Sequence, residues 1–239
     1  MKDIHIVYKK EAETPLQALV RFRESEQIPQ SVPLTYAGRL DPLAEGVLVV
    51  LSGEAVHEKD LVNKLDKEYE SEFLFGIKTD TYDLLGIPKE INTTPPTIES
   101  VVEKITTLVG HHYFPYPPYS SKPVHGKPLF MWAREGKIND ILIPTTKMQV
   151  NDSTILSISN RSGREIKERV NNITGMLKGD FRQHEINDAW KVGLRDNDIF
   201  LSITIRWDVA SGTYIRSLAD YCGATLYRLK RMRVGGYTI

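Results

Sequence analysis

Residues 36–46 read YAGRLDPLAEG and run directly into the apolar stretch Val47, Leu48, Val49, Val50, Leu51. Gly38 permits a turn, and Pro42 biases the residue before it away from helical backbone angles. Asp41 is therefore expected on a loop, its carboxylate displayed just ahead of a buried strand over residues 47–51. Carboxylates displayed on loops often carry function. Spacing alone also allows a second reading, in which Asp41 is a helix N-cap and Pro42 takes the first helical position.

On the N-terminal side of this stretch, residues 5–8 read as a first strand. Thr14, Pro15 and Gln17 then form a capping-box start for a helix that turns Leu16, Leu19 and Val20 inward. On the C-terminal side, residues 68–75 alternate, so Tyr69, Ser71, Phe73 and Phe75 share a face. Residues 87–97, with Pro88, Pro95 and Pro96, read as a loop, and 98–108 have helical spacing at Val101, Val102, Ile105 and Leu108. FPYPPYSS at 114–121 is an extended aromatic segment, because proline removes donors and fixes the backbone. Gly136 and residues 143–146 bracket a loop, and 151–159 alternate weakly as a strand. Residues 175–190 read as a turn and then a helix with Ile186, Ala189 and Trp190 inward. The clearest strand is 199–209, where Ile199, Leu201, Ile203, Ile205, Trp207 and Val209 form one apolar face. Thr213 is then the expected cap of a helix carrying Ile215, Leu218, Ala219 and Cys222, with Arg216 in its first turn. A cation there opposes the helix dipole, so Arg216 is either tolerated on a solvated surface or paired with a carboxylate.

Composition narrows the classes. The 239 residues carry 31 basic and 31 acidic side chains, so net charge is zero. RNA binding would then depend on local patches. In the tail, Arg228, Lys230, Arg231 and Arg233 interleave with Tyr227, Leu229, Met232 and Val234. That pattern suits a strand with one buried and one phosphate-facing side, or equally an edge strand protected by charge. Arg161, Arg164, Lys167 and Arg169, diluted by Glu165 and Glu168, read as a solvated helix face. No apolar run approaches the roughly 18–20 residues of a membrane span, and residues 1–10 lack the apolar core of a secretory signal, so a cytoplasmic protein is expected. Cys222 is the single cysteine, which excludes an internal disulfide. His111 and His112 are adjacent but lack a third ligand, and no metal site is expected. No repeat or interdomain linker is visible, and 1–239 read as one domain.

The opening string resembles the signature of the TruB family of tRNA pseudouridine synthases, close to H-T-G-T-L-D-P-x-A-x-G-x-L, at Gly38, Leu40, Asp41, Pro42, Ala44, Gly46 and Leu48. GIKTDTYDLLG at 76–86 fits the family pattern G-x-x-T-D-T-x-D-x-x-G, and SGTYIRSLA at 211–219 is similar to a third family segment. The resemblance implies an α+β pseudouridine synthase fold, with a bent, mixed, mostly antiparallel central sheet flanked by helices and loops. It implies a cofactor-free isomerisation of uridine to pseudouridine at position 55, in the T loop of tRNA, by a monomer that takes the T arm as partner. Asp41 is the implied nucleophile and Arg216 its ion-pair partner. A nucleophilic aspartate must stay ionised in its pocket, and a guanidinium favours the charged form. Tyr69 is implied to stack on the target base, Tyr214 to line the same pocket and Leu229 to pack against the base. Thr79, Asp80, Thr81 and Asp83 are implied to shape a loop near the substrate.

The departures are local. Tyr36 and Arg39, which the resemblance implies to be substrate-binding, replace the family's histidine and threonine. KKEAETP at 9–15 lacks the proline and glycine of the family's K-P-x-G-x-T-S, and in PPYSSKP at 117–123 Tyr119 follows Pro118 directly and Lys122 is shifted one place. The chain ends at Ile239 shortly after Leu229, which implies no separate C-terminal RNA-binding domain. Alternative readings are a catalytically weak or inactive tRNA-binding folding factor, and a synthase acting on another RNA. A glycosidase pairing Asp41 with Asp80 or Asp83 is a further alternative, and it requires a second acid beside Asp41.

Overall fold

The computed structural model describes residues 2–94 and 96–239. Met1 of the leader reading and Pro95 of the 87–97 loop reading lie outside the described residues. The first half of the chain forms β1 (Lys2–Lys9), α1 (Pro15–Ser25), β2 (Leu34–Ala37), β3 (Ala44–Gly53), α2 (Lys59–Asn63) and β4 (Lys67–Phe75). There follow β5 (Ile77–Thr79), β6 (Pro88–Ile91), α3 (Ile98–Thr107), β7 (Gly110–Pro115), β8 (Pro123–Val124), β9 (Lys127–Pro128) and α4 (Leu129–Arg134). The chain continues through β10 (Thr145–Ser162), α5 (Gly163–Met176), α6 (Gln183–Gly193), β11 (Ile199–Val209), α7 (Ile215–Cys222), β12 (Ala224–Val234) and β13 (Tyr237–Thr238).

The main sheet runs β1-β3-β12-β4-β11-β10-β7, with β2 also on β3 and β13 also on β12. Its pairs are antiparallel except β12 with β3, which run parallel over Leu229–Arg231 and Ala44–Gly46. The architecture is α+β with a mixed, mostly antiparallel sheet. β12 is therefore central, which excludes the edge-strand reading of the tail.

Alternation fixes which side of the sheet is buried. Phe73, Leu226, Ile203, Ile205 and Trp207 join one apolar cluster with Val101 and Ile105 of α3, Val170 of α5, Trp190 of α6 and Leu218 of α7. Burying each such large apolar side chain contributes about 1.5–3 kcal/mol relative to exposure. The intervening positions of β4 and its neighbours pair as ions, Arg206 with Glu70 at 2.8 Å and Arg228 with Glu72 at 3.3 Å.

Several local expectations are corrected. The capping box at Thr14 forms, but Leu16 and Val20 are exposed. Instead Ala18, Leu19 and Phe22 of α1 meet Val7, Leu48 and Val50, because small Ala18 lets the helix approach the sheet. Part of the 87–97 loop is β6, which pairs with β5. Pro88 sits at the first position of that strand, where a missing N–H is tolerated. The turn expected at Gly175 is still helix, since α5 runs to Met176. Arg161 and Arg169 do not share a solvated face: Arg161 Nε lies 2.7 Å from Glu72, and Arg169 Nη2 lies 2.5 Å from Glu11. Thr213 does not cap α7, because its hydroxyl donates to the Gln149 carbonyl at 3.1 Å and accepts from the Gln149 N–H. Tyr214 precedes the helix instead.

Candidate active site

Asp41 lies on the connection between β2 and β3, where the Ala44 N–H closes a turn onto its carbonyl at 3.0 Å. No helix follows it, so it is not an N-cap. The loop is held at every side. The Gly38 N–H donates to Asn63 Oδ1 at 2.7 Å, and the Ala12 N–H donates to the Pro42 carbonyl at 2.9 Å. Two fully buried cations complete the frame. Lys9 Nζ donates to the Ala44 carbonyl, while Arg231 donates through Nε to the Val47 carbonyl at 2.7 Å and through Nη2 to the Gly38 carbonyl at 3.0 Å.

Arg231 thus breaks the alternation read in the tail. The period of two puts Leu229 and Arg231 on one face, and a bulge between Arg231 and Arg233 returns Arg233 to the other. Burial pulls Lys9 down to about 8, against the charges of Glu13, Asp41 and Glu11. Gly46 of the signature has a structural reason. Its φ is +107°, and a Cβ there would sit 2.2 Å from the Arg231 carbonyl, so only glycine permits the β3–β12 approach.

α7 delivers Arg216 to the same loop. Its Nε lies 2.9 Å from Asp41 Oδ2 and 3.8 Å from Asp83 Oδ2. Nη1 donates to the Thr81 carbonyl at 2.9 Å, and Nη2 to the Tyr119 carbonyl at 3.4 Å. The Nε–H itself is not aligned on an acceptor, so the Asp41 contact is a close ion pair, off the bond axis. Arg216 is 4% exposed, whereas the Asp41 carboxylate is 41% exposed. Burial opposes the guanidinium's charge, yet Asp41 and Asp83 hold its pKa above the usual arginine value.

Asp83 is pushed up to about 6 by burial, against the pull of Arg216. Its Oδ1 accepts from the Thr81 hydroxyl at 2.6 Å and the Leu85 N–H at 3.0 Å. A second acid is therefore near Asp41, as a glycosidase would need. It does not line the cavity that opens over Asp41, however, and in the adjoining one its side chain is only 7% exposed and its carboxylate is engaged by Thr81, Leu85 and Arg216, so it is not free to act as the second acid of a glycosidase.

A cavity of about 330 Å³ opens over Asp41 and is lined by Tyr69, Tyr214, Arg216, Leu229 and Arg39. Burial and then the Asp41 charge raise the Tyr214 hydroxyl, and Tyr116 meets the Tyr214 ring edge-on at 5.4 Å. A second cavity of about 490 Å³ adjoins the first at Arg39, Asp41 and Arg216 and includes Tyr36, Tyr119, Phe181 and Arg182. Tyr36 thus stands outside the first cavity, with Lys59 Nζ 5.6 Å from its ring centroid. Thr79 and Thr81 do shape the loop, both hydroxyls donating to the Asp83 carbonyl. Asp80 pairs with Arg182 at 2.7 Å.

Two site residues escaped the sequence reading. Ser120 lines the first cavity with its hydroxyl buried and without a hydrogen-bond partner among the described residues; the Tyr-Ser pair of PPYSS was the available signal. Lys67 also lines it, brought down to about 8 by burial and then by Arg231. Among the described residues, no group of three or more His, Cys, Asp or Glu could hold a metal ion, and no helix is long and apolar enough to cross a membrane.

Residues 30–215 match the family described as TruB family pseudouridylate synthase (N terminal domain). The tRNA pseudouridine synthase B of Thermotoga petrophila is 30% identical over 210 residues, covering 85% of this chain and 54% of that protein. The one from Clostridium novyi is 27% identical over 244 residues, covering 100% of this chain and 69% of that protein. The chain spans about half the length of most of the curated relatives it matches. Among solved structures, a chain of a Cbf5-Nop10-Gar1 complex superposes with a TM-score of 0.59 at 14% identity, over 98% of this chain and 49% of that one. That likeness is one of fold.

Proposed function

The chain belongs to the TruB family of pseudouridylate synthases, and from that premise we propose that it converts a tRNA uridine to pseudouridine, at position 55 of the T loop, with Asp41 as nucleophile. The observation that carries the reading is the Asp41–Arg216 ion pair at 2.9 Å, set on the floor of a cavity walled by Tyr69, Tyr214 and Leu229. The buried guanidinium holds the carboxylate at the cavity, where a flipped base is received. Flipping costs a few kcal/mol of stacking, which aromatic walls replace. Tyr69 stacks on the base, Leu229 packs its other side, and Arg39 and Tyr36 meet the flanking RNA. The N1–C1′ bond breaks, the bound base turns, and C5 joins C1′. C5 loses its proton and N1 gains one. The reaction is an isomerisation, so atoms and electrons balance without a second substrate.

The test is positional. Purified protein is incubated with an unmodified T-arm stem-loop and with the same RNA carrying cytidine at position 55. Pseudouridine at position 55 of the first RNA, and none in the second, supports the reading. Pseudouridine elsewhere, or only in a different RNA, overturns the substrate assignment.

A further inference from the structure

β10 and β11 pair in antiparallel register to their very ends, Ser162 opposite Ile199, and the Gly163 N–H still donates to the Asp198 carbonyl at 2.8 Å. A tight turn would join two such strands. Instead residues 163–198 leave the sheet as the helical pair α5–α6 and return. The far end of this excursion comes back to the site: Asp180, Phe181 and Arg182 line the second cavity together with Asp41 and Arg216.

The excursion grips the loop that holds Arg216. The Arg182 guanidinium makes a two-pronged contact with Asp80, Nη1 to Oδ2 at 2.7 Å and Nη2 to Oδ1 at 3.3 Å. It also lies over the Tyr119 ring, 4.3 Å from its centroid. Asp80 Oδ1 in turn accepts the Ile87 N–H at 2.8 Å and closes loop 80–87. From α6, the Trp190 indole N–H donates to the Gly86 carbonyl at 2.9 Å. The gripped segments supply Thr81 and Tyr119, whose carbonyls accept from Arg216, and Asp83, its second carboxylate. Arg182 itself takes a left-handed backbone, φ +60°, an outlier for a non-glycine residue of the kind that concentrates at functional sites.

We propose that Arg182 is a positioning residue for the Arg216–Asp41 pair, and that the α5–α6 excursion is a clamp holding loop 80–87 and Tyr119 so that the guanidinium stays in place. The clamp touches no reacting atom. Its effect on chemistry is through geometry, since a misplacement of about 1 Å can lower a rate by roughly a hundredfold.

The inference rests on the pseudouridylation reading, so the test combines a rate with a structural signal independent of turnover. Single-turnover rates and half-saturating protein concentrations are measured on the T-arm stem-loop for wild type, R182A, D80N, R216K and R182A/R216K, with far-UV circular dichroism for folding. Exchange of the Arg216 Nε–H is followed by nitrogen-15 NMR. R182A and D80N are expected to stay folded, to lose roughly tenfold to a hundredfold in maximal rate with little change in half-saturation, and to lose protection of the Arg216 Nε–H. On the R216K background, R182A should add little. Unchanged maximal rates, a rise in half-saturation alone, or full multiplicative loss in the double variant would overturn the clamp. If R182A fails to fold, D80N, which keeps an acceptor for Ile87, decides by the same criteria. A wild type that converts no uridine overturns the function reading, while the exchange comparison still judges the clamp.

Discussion

At the residue scale, the site rests on one open carboxylate and one buried guanidinium. Arg216 meets Asp41, Asp83 and two carbonyls at once, a set of partners that a planar fork satisfies and a point charge does not. Arg216→Lys should therefore lose about two orders of magnitude in single-turnover rate, the scale seen when a preorganised electrostatic partner is removed; a rate within threefold of wild type would show that the fork is not needed. Ser120 leads to an opposite pair of effects. Its hydroxyl is buried without a partner among the described residues, so Ser120→Ala should leave the urea midpoint equal or higher, yet lower kcat/KM about threefold to tenfold if the flipped nucleotide supplies the missing hydrogen bond. Asp41 and Arg216 were legible because they sit in strings with family spacing. Lys9 and Arg231 were not, since lysine and arginine are almost always exposed and nothing in their neighbours announces burial.

At the element scale, the parallel contact of β3 with β12 joins the signature loop to the strand bearing Leu229. Gly46→Ala would force a Cβ to 2.2 Å from the Arg231 carbonyl. It should cost about 2–3 kcal/mol in urea unfolding, and an unchanged midpoint would mean that the strands part without penalty. Strands with strict alternation were legible, β11 to its exact ends, because one face meets the core from Leu201 to Val209, although Ile199 at its start is exposed. The inward stripe of α1 and the cap of α7 were not. Both depend on partners distant in the chain: β3 meets Ala18, and Gln149 captures the Thr213 hydroxyl. The phase of the tail was hidden by a bulge after Arg231, which returns Arg233 to the opposite face and resets the period of two without a sequence mark.

At the scale of the whole molecule, the fold stores charge inside the frame that carries the site, and pH should reveal it. Burial holds Lys9 at about 8, below its ordinary 10.5. Between those values the unfolded chain binds the proton more tightly, so the stability of wild type relative to Lys9→Met should rise as pH increases from 8 to 10.5 and fall away as pH drops toward 8. Paired urea titrations across that window check the sign; a difference that is flat with pH would contradict it. The α5–α6 clamp was legible only as a helix, because its grip spans Arg182 and Asp80, 102 positions apart. What the whole assembly accomplishes is tested most directly by chemical mapping of pseudouridine in an unmodified T-arm stem-loop, with wild type and Asp41→Asn side by side and RNA binding measured for both. The predicted result is conversion at position 55 by wild type alone with binding retained in the variant, since the substitution keeps the side chain's size and removes its charge. Equal conversion by Asp41→Asn, or none by wild type on bound RNA, would contradict the assignment of Asp41 as the nucleophile of a uridine isomerase.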